Sequence, residues 1–172
     1  NLSLEIKREG QIYFQKYERG KPLTSLEMTG KSETTGTKIT FFPDPTIFNE
    51  LNFGYDALAN RLRELSFLNK GLKIHFHDER DGKDNEFYFE GGIISFLKYL
   101  SEKKKILHPE PIYIHREKKE GLLELALMYN DGYNEEVFTF VNNVNTRDGG
   151  THLSGFRSAL TRTINSYAVQ NK

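Results

Sequence analysis

Apolar and polar positions alternate from the first residues of the chain. Residues 2–8 (LSLEIKR) and 11–19, with Ile12, Phe14 and Tyr17 as apolar members, carry the period of two that predicts strands. Glu9-Gly10 turns the chain between them, and Gly20-Lys21-Pro22 breaks the second run. A short strand is expected over Leu26–Gly30, then a polar turn over Lys31–Gly36. A further strand is expected over Lys38–Phe42, stopped by Pro43-Asp44-Pro45 because proline lacks the ladder donor.

The period then lengthens. Tyr55, Leu58, Leu62, Leu65 and Leu68 recur at helical spacing and predict a buried stripe on a helix from about Tyr55 to Leu68. Asn52 or Asp56 is the candidate start signal, and Gly71 is suited to a left-handed stop. Leu72–His77 and Glu86–Phe89 read as strands joined by the Asp81-Gly82 hairpin turn. Gly91-Gly92 is the best internal boundary, since paired glycines can hinge between units. A helix over about Ile93–Lys103 follows, with Ile93, Phe96, Leu97 and Leu100 inward. Ile112–His115, Leu122–Tyr129 and Glu136–Val141 read as three consecutive antiparallel strands, with hairpins at Glu120-Gly121 and Asp131-Gly132. A last helix runs from about Leu153 towards Val169, with Leu153, Phe156, Leu160, Ile164 and Tyr167 as its buried stripe and Arg157 and Arg162 pointing elsewhere. The expected class is α+β, of the two-layer sandwich type, with mostly antiparallel sheets and helices on one face.

At 172 residues the chain has room for one large domain or two small ones, and a single domain of that size buries a sound core. Thirteen Phe and nine Tyr point to sheet-rich packing. Lys and Arg number 24, as do Asp and Glu, so any contact with DNA has to come from a local patch. The chain has no cysteine, which excludes disulfides and thiolate metal sites and suits a reducing cytosol. No apolar run reaches the length of a membrane span. The chain opens at Asn1 directly on a strand pattern, which reads as a cut inside something larger.

There is no GxxxxGK[ST] loop and no GxGxxG. The stretch from Thr146 to Arg157 is the most distinctive: a charged glycine turn, Arg147-Asp148-Gly149-Gly150, that enters an arginine-bearing helix beside His152. A plain tight turn is its first reading, and a helix N-terminus that accepts an anion is the second. His75 and His77 share one strand face, where they could meet Asp78 or Glu79 around a divalent metal, but a solvated strand face is the default. His108 reads as a packed or capping residue. Lys103-Lys104-Lys105 reads as a solvated helix end. Arg61, Arg63, Arg157 and Arg162 are helix-borne guanidiniums able to meet phosphates, although exposed arginines on helices are ordinary. No catalytic constellation stands out.

Four stretches in order carry a resemblance: Thr35-Gly36-Thr37 with Phe41-Phe42-Pro43-Asp44-Pro45; Arg61 through Gly71 (RLRELSFLNKG); Asp81-Gly82 with Phe89-Glu90-Gly91-Gly92-Ile93; and Arg147 through His152 (RDGGTH). From about Leu4 to Tyr167 the chain resembles the B subunits of DNA gyrase and topoisomerase IV, with gyrase favoured. The resemblance implies that residues 1–90 are the C-terminal part of a GHKL ATPase domain. Residues 91–172 would then be the N-terminal part of a transducer domain similar to ribosomal protein S5 domain 2. It implies a parent that uses ATP and Mg²⁺ to drive DNA strand passage and negative supercoiling. The implied partners are DNA, the A subunit of gyrase and, in an ATP-dependent clamp, a second copy of the parent. The implied location is the cytoplasm. Thr37 matches the threonine on the floor of the adenine pocket. Arg8 matches the arginine at its mouth, where aminocoumarin inhibitors are held. Arg157 matches an arginine facing the cavity for the transported duplex.

On the same resemblance, the Mg-binding Asn, the adenine-binding Asp and the glycine lid belong before Asn1, and the lysine of the Gln-Thr-Lys motif belongs after Lys172. These residues alone are therefore expected neither to hydrolyse ATP nor to cleave DNA. The rival reading is a stand-alone S5-like nucleic-acid-binding module, and a third is a dominant-negative or interaction fragment.

Overall fold

The computed structural model describes residues 1–171. The chain divides into two compact units, Asn1–Phe53 and the remainder from Gly54. The class is α+β, with antiparallel strand pairing throughout the described residues.

The first unit is one sheet. β1 (Leu2–Arg8) and β2 (Gln11–Glu18) pair in register from Leu2↔Tyr17 to Arg8↔Gln11. Their turn puts both Glu9 and Gly10 at positive φ, the two-residue geometry whose twist matches the strands it joins. Arg19-Gly20 repeats it before β3 (Lys21–Pro22). β4 (Glu27–Lys31) pairs with β2 through an irregularity at Ile12/Tyr13, and β5 (Gly36–Phe41) pairs with β1. The residues after β5 are tied by Asp44. Its carboxylate accepts Arg19 Nε (2.7 Å), Thr46 N (2.9 Å) and Thr46 Oγ1 (2.7 Å). Hydrogen bonds from Thr46, then from Arg19, hold that carboxyl well below the usual carboxylate range.

The second unit is organised on α1 (Tyr55–Leu68). The helix has the expected bounds, but Gly54 caps it without a side-chain bond, so neither Asn52 nor Asp56 starts it. Its buried face is also rotated from the leucine stripe. Ala59, Ser66 and Phe67 are buried, while Leu58 is exposed. Ser66 Oγ donates to Leu72 O (3.1 Å), which makes a hydroxyl tolerable there. β6 (Ile74–Asp78) and β7 (Lys83–Phe87) form a hairpin whose inner face meets the helix, with Phe76 stacked on Tyr55 at 4.9 Å.

α2 (Ile93–Ser101) presents Phe96 and Tyr99 to Phe67, which also stacks on Phe89 with ring centroids 3.7 Å apart. One aromatic cluster therefore bridges the glycine pair at 91–92. Gly92 lies at φ +58° and ψ −135°, a backbone state that suits glycine, but its second demand is close approach rather than hinging. A Cβ there would lie 2.8 Å from Lys70 Cγ.

β8 (Ile112–Lys118) and β9 (Gly121–Leu127) form the next hairpin. The third strand expected over Glu136–Val141 is not part of it. Only β10 (Phe140–Val141) forms, and it pairs with β11 (Val144–Asn145) around Asn142-Asn143, both at positive φ. Asp131-Gly132 closes no hairpin, because Asp131 N donates to Lys105 O and Leu107 N to Tyr129 O.

α3 (Thr151–Gln170) ends the described chain. Its stripe departs from expectation: Leu153, Phe156 and Leu160 are half-buried, while Ile164 and Tyr167 are exposed. Among the described residues the buried apolar side chains are Ala59, Phe67 and Phe87, far short of the core expected for a single domain of this length. Two units divide the chain, and small units bury proportionately less surface.

Candidate functional site

Two of the three implicated side chains share one sheet face. In an antiparallel pair, directly opposed residues point the same way, and every second residue follows them. Ile6 opposes Thr37 and Arg8 opposes Gln11, so Arg8 lies diagonal to Thr37 on the face that also carries Leu4, Ile6 and Ile39. Leu4 and Ile6 are half-buried, and Ile39 is exposed. The face thus carries apolar side chains on β1 and β5, with a hydroxyl at Thr37 and a guanidinium at its end. Arg8 Nε meets Glu9 Oε1 at 3.2 Å, with both side chains three-quarters exposed, so that pair holds the arginine weakly. Tyr13 donates to Gln11 and Tyr17 to Gln15 along the same face. A shallow cleft lined by Ser3, Glu5, Phe14, Lys38 and Thr40 lies on the opposite face.

The third side chain, Arg157, belongs to the other unit. The turn before its helix is closed by two threonines. Thr146 N donates to Thr139 O (2.8 Å), and the two hydroxyls are 2.6 Å apart. Gly149 N donates to Thr146 O (2.8 Å), at φ +76°, and Gly150 follows at φ +147°. His152 Nε2 lies 3.3 Å from Thr146 Oγ1, and Ser154 N returns to Gly150 O. These bonds close a tight turn directly into α3, which Gly150 caps without a side-chain bond, the plain-turn geometry. One and a half turns on, Arg157 donates to Glu135 Oε2 (2.9 Å), and both side chains remain more than half exposed.

The other candidates resolve into local roles. His75 and His77 both face Asp84, at 2.6 and 3.2 Å, across the β6–β7 hairpin, while Asp78 turns to Arg80. No group of three or more potential ligands able to hold a metal occurs among the described residues. Tyr129 N donates to His108 Nε2 (2.9 Å), which leaves Nδ1–H to donate to Glu110 O (2.7 Å), so this imidazole clips two loops. Arg63, expected off the helix stripe, is half-buried. It donates to Tyr99 Oη (3.1 Å) and lies over the rings of Phe87 and Tyr99. Arg61 pairs with Glu64 and reaches Asn143 O (2.9 Å). Sequence reasoning passed over Lys70, Glu124 and Asn143. The signal for Asn143 lay in Val-Asn-Asn-Val, since asparagine tolerates positive φ.

Comparison with known proteins bears on the family and the fold. A family model for DNA gyrase B matches residues 92–172. The DNA gyrase B subunit of Clostridium acetobutylicum is 51% identical over 96% of the chain, and that of Halalkalibacterium halodurans is 50% identical over 97%. The chain spans about a quarter of the length of either relative (26%). Among solved structures, the 43K ATPase domain of Thermus thermophilus gyrase B, in complex with an aminocoumarin, superposes with a TM-score of 0.85 at 38% identity. That match covers 99% of this chain and 47% of the other. The gyrase B subunit of Myxococcus xanthus gives 0.84 at 27% identity, covering 92% and 47%. The fold and these matches define a segment of a larger subunit, with the fold of part of a gyrase B ATPase-domain structure. The chain belongs to the DNA gyrase B family. No helix among the described residues is long and apolar enough to cross a membrane.

Proposed function

We propose that the chain is the part of a gyrase-type B subunit that joins nucleotide binding to DNA handling. Residues 1–90 belong to its GHKL ATPase domain and residues from 91 to its transducer. The parent binds ATP with Mg²⁺ in the cytoplasm and pairs with a second copy of itself and with the A subunit of gyrase. It couples hydrolysis to passage of one duplex through another. Thr37 contributes to the floor of the adenine pocket, and Arg8 stands at its mouth, where an aminocoumarin is held. Arg157 meets the phosphates of the transported duplex, for which a planar guanidinium is well suited.

The observation that carries this reading is the continuity of the match. Identity of about half extends across 96% of the chain, through both compact units. A stand-alone S5-like module would leave residues 1–90 without an explanation.

Arg157→Gln in the parent protein tests it. DNA-stimulated ATP turnover is expected to fall severalfold, and its dependence on log salt to lose a slope of about one. Thermal stability should hold within about 0.5 kcal/mol, since the lost Glu135 pair is an exposed one. An unfolded variant, or unaltered DNA stimulation, removes Arg157 from the duplex cavity.

A further inference from the structure

Lys70 lies just past the end of α1, and its side chain runs across Gly92. A Cβ on Gly92 would lie 2.8 Å from its Cγ and 3.2 Å from its Cδ, so the absent side chain is what lets the stem pass. Beyond Gly92 the ammonium meets Glu124 Oε1 at 3.0 Å and Tyr113 Oη at 3.3 Å on the β8–β9 hairpin. It also lies 5.4 Å from the Tyr113 ring centre. Tyr113 Oη donates to the same carboxylate oxygen (2.5 Å), and His115 Nδ1 is 3.7 Å from it. Glu124 is 23% exposed, less than half the value for Lys70. The hydroxyl of Tyr113 first, and Lys70 after it, keep the Glu124 carboxyl below its ordinary value.

One residue earlier, Asn69 makes a second reach. Its Oδ1 accepts Asn143 Nδ2 (2.9 Å) from the β10–β11 turn, while its own Nδ2 is anchored on Leu65 O (2.7 Å). Arg61 grips the carbonyl of Asn143 from the same helix. The end of α1 therefore holds two separate hairpins that follow Gly92, by side chains that the aromatic cluster does not use.

We propose that Lys70 and Asn69 form a two-armed latch that fixes the β8–β9 and β10–β11 hairpins to the end of α1. A displacement of α1 then passes into both hairpins instead of being absorbed at the glycine pair. That the latch relays nucleotide state rests on the function proposed above; the latch itself does not. A single exposed ion pair would stabilise little, but here one carboxylate is shared by an ammonium and a phenol, and such a network behaves as a unit.

Backbone hydrogen exchange of the protein, without nucleotide or DNA, tests it. Lys70→Met keeps the stem and removes the charge, and Glu124→Gln keeps the shape. Each is expected to speed exchange in β8 and β9 about fivefold while β1 and β2 stay unchanged. The double variant should exceed neither single one. Asn143→Gly, which keeps the positive φ of the turn and removes the contact with Asn69, should do the same to β10 and β11 alone. Unchanged exchange in the hairpins, or additive effects in the double variant, overturns the latch. Since neither ATP nor DNA enters the measurement, its failure leaves the ATPase–transducer reading standing, and failure of that reading leaves the latch standing.

Discussion

Replacing Phe67 by alanine is the sharpest perturbation of the second unit. The ring is 1% exposed, lies face to face with Phe89 at 3.7 Å, and contacts Phe96 at 5.2 Å and Tyr99 at 5.5 Å. Burying a phenylalanine removes roughly 150 Å² or more from water, or about 4 kcal/mol at about 25 cal/mol per Å². Aromatic packing adds to this, while partial collapse of the surrounding rings subtracts from it. Tyr99 is 46% exposed, so one wall of the cluster is free to close in. The expected cost is about 3 kcal/mol, the lower end for phenylalanine truncations.

Urea unfolding followed by helical circular dichroism isolates the effect, since α1, α2 and α3 all lie after Phe53. With a slope of about 1–2 kcal/mol per molar urea, the helical midpoint should fall by roughly 1.5–3 M. Phe67→Leu, which keeps most of the volume, should cost under about 1.5 kcal/mol. A loss under about 1 kcal/mol for alanine would refute the claim that this ring joins the chain across Gly91-Gly92.

Arg8→Gln in the parent protein should weaken aminocoumarin binding about tenfold by calorimetry, the worth of one hydrogen bond to a charged group. Unchanged affinity would remove Arg8 from the pocket mouth. In acid, Asp78 provides a separate test. Hydrogen bonds from the Arg80 side chain, then from its backbone N–H, lower the Asp78 carboxyl to about 2. A folded-state value below the unfolded one stabilises the fold above about pH 4, and that contribution is lost as pH falls from about 4 towards 2. Asp78→Asn should flatten stability against pH in that window, as read by circular dichroism at graded pH. An unaltered acid slope contradicts the assignment.

Local chemistry was legible where short-range physics decides it. Glu9-Gly10 and Asp81-Gly82 marked hairpins because their backbone demands are written in the residue types. The bounds of α1 followed from period, but its stop did not: the chain leaves the helix at Asn69 in an extended conformation, and Gly71 at φ +79° serves the Asn69–Leu72 turn that follows. The buried face of α1 was not legible: the leucine stripe lost to Ala59, Ser66 and Phe67, because the aromatic partners at 89, 96 and 99 are set by tertiary packing. The run Glu136–Val141 carries strand-forming residues, yet Asn142-Asn143 turns it back on itself after two paired residues. Of the candidate site, the resemblance supplied Arg8, Thr37 and Arg157, and register then placed the first two on one face. The Lys70–Glu124 contact spans 54 positions and follows no local pattern.

The most direct test of the account is supercoiling. The full-length protein that contains this chain should be mixed with the A subunit of a gyrase, relaxed circular DNA, ATP and Mg²⁺, and the topoisomers resolved on a gel. Negative supercoils that require ATP and vanish with an aminocoumarin are the predicted result. Relaxation or decatenation without supercoiling, or no change in linking number, would contradict it.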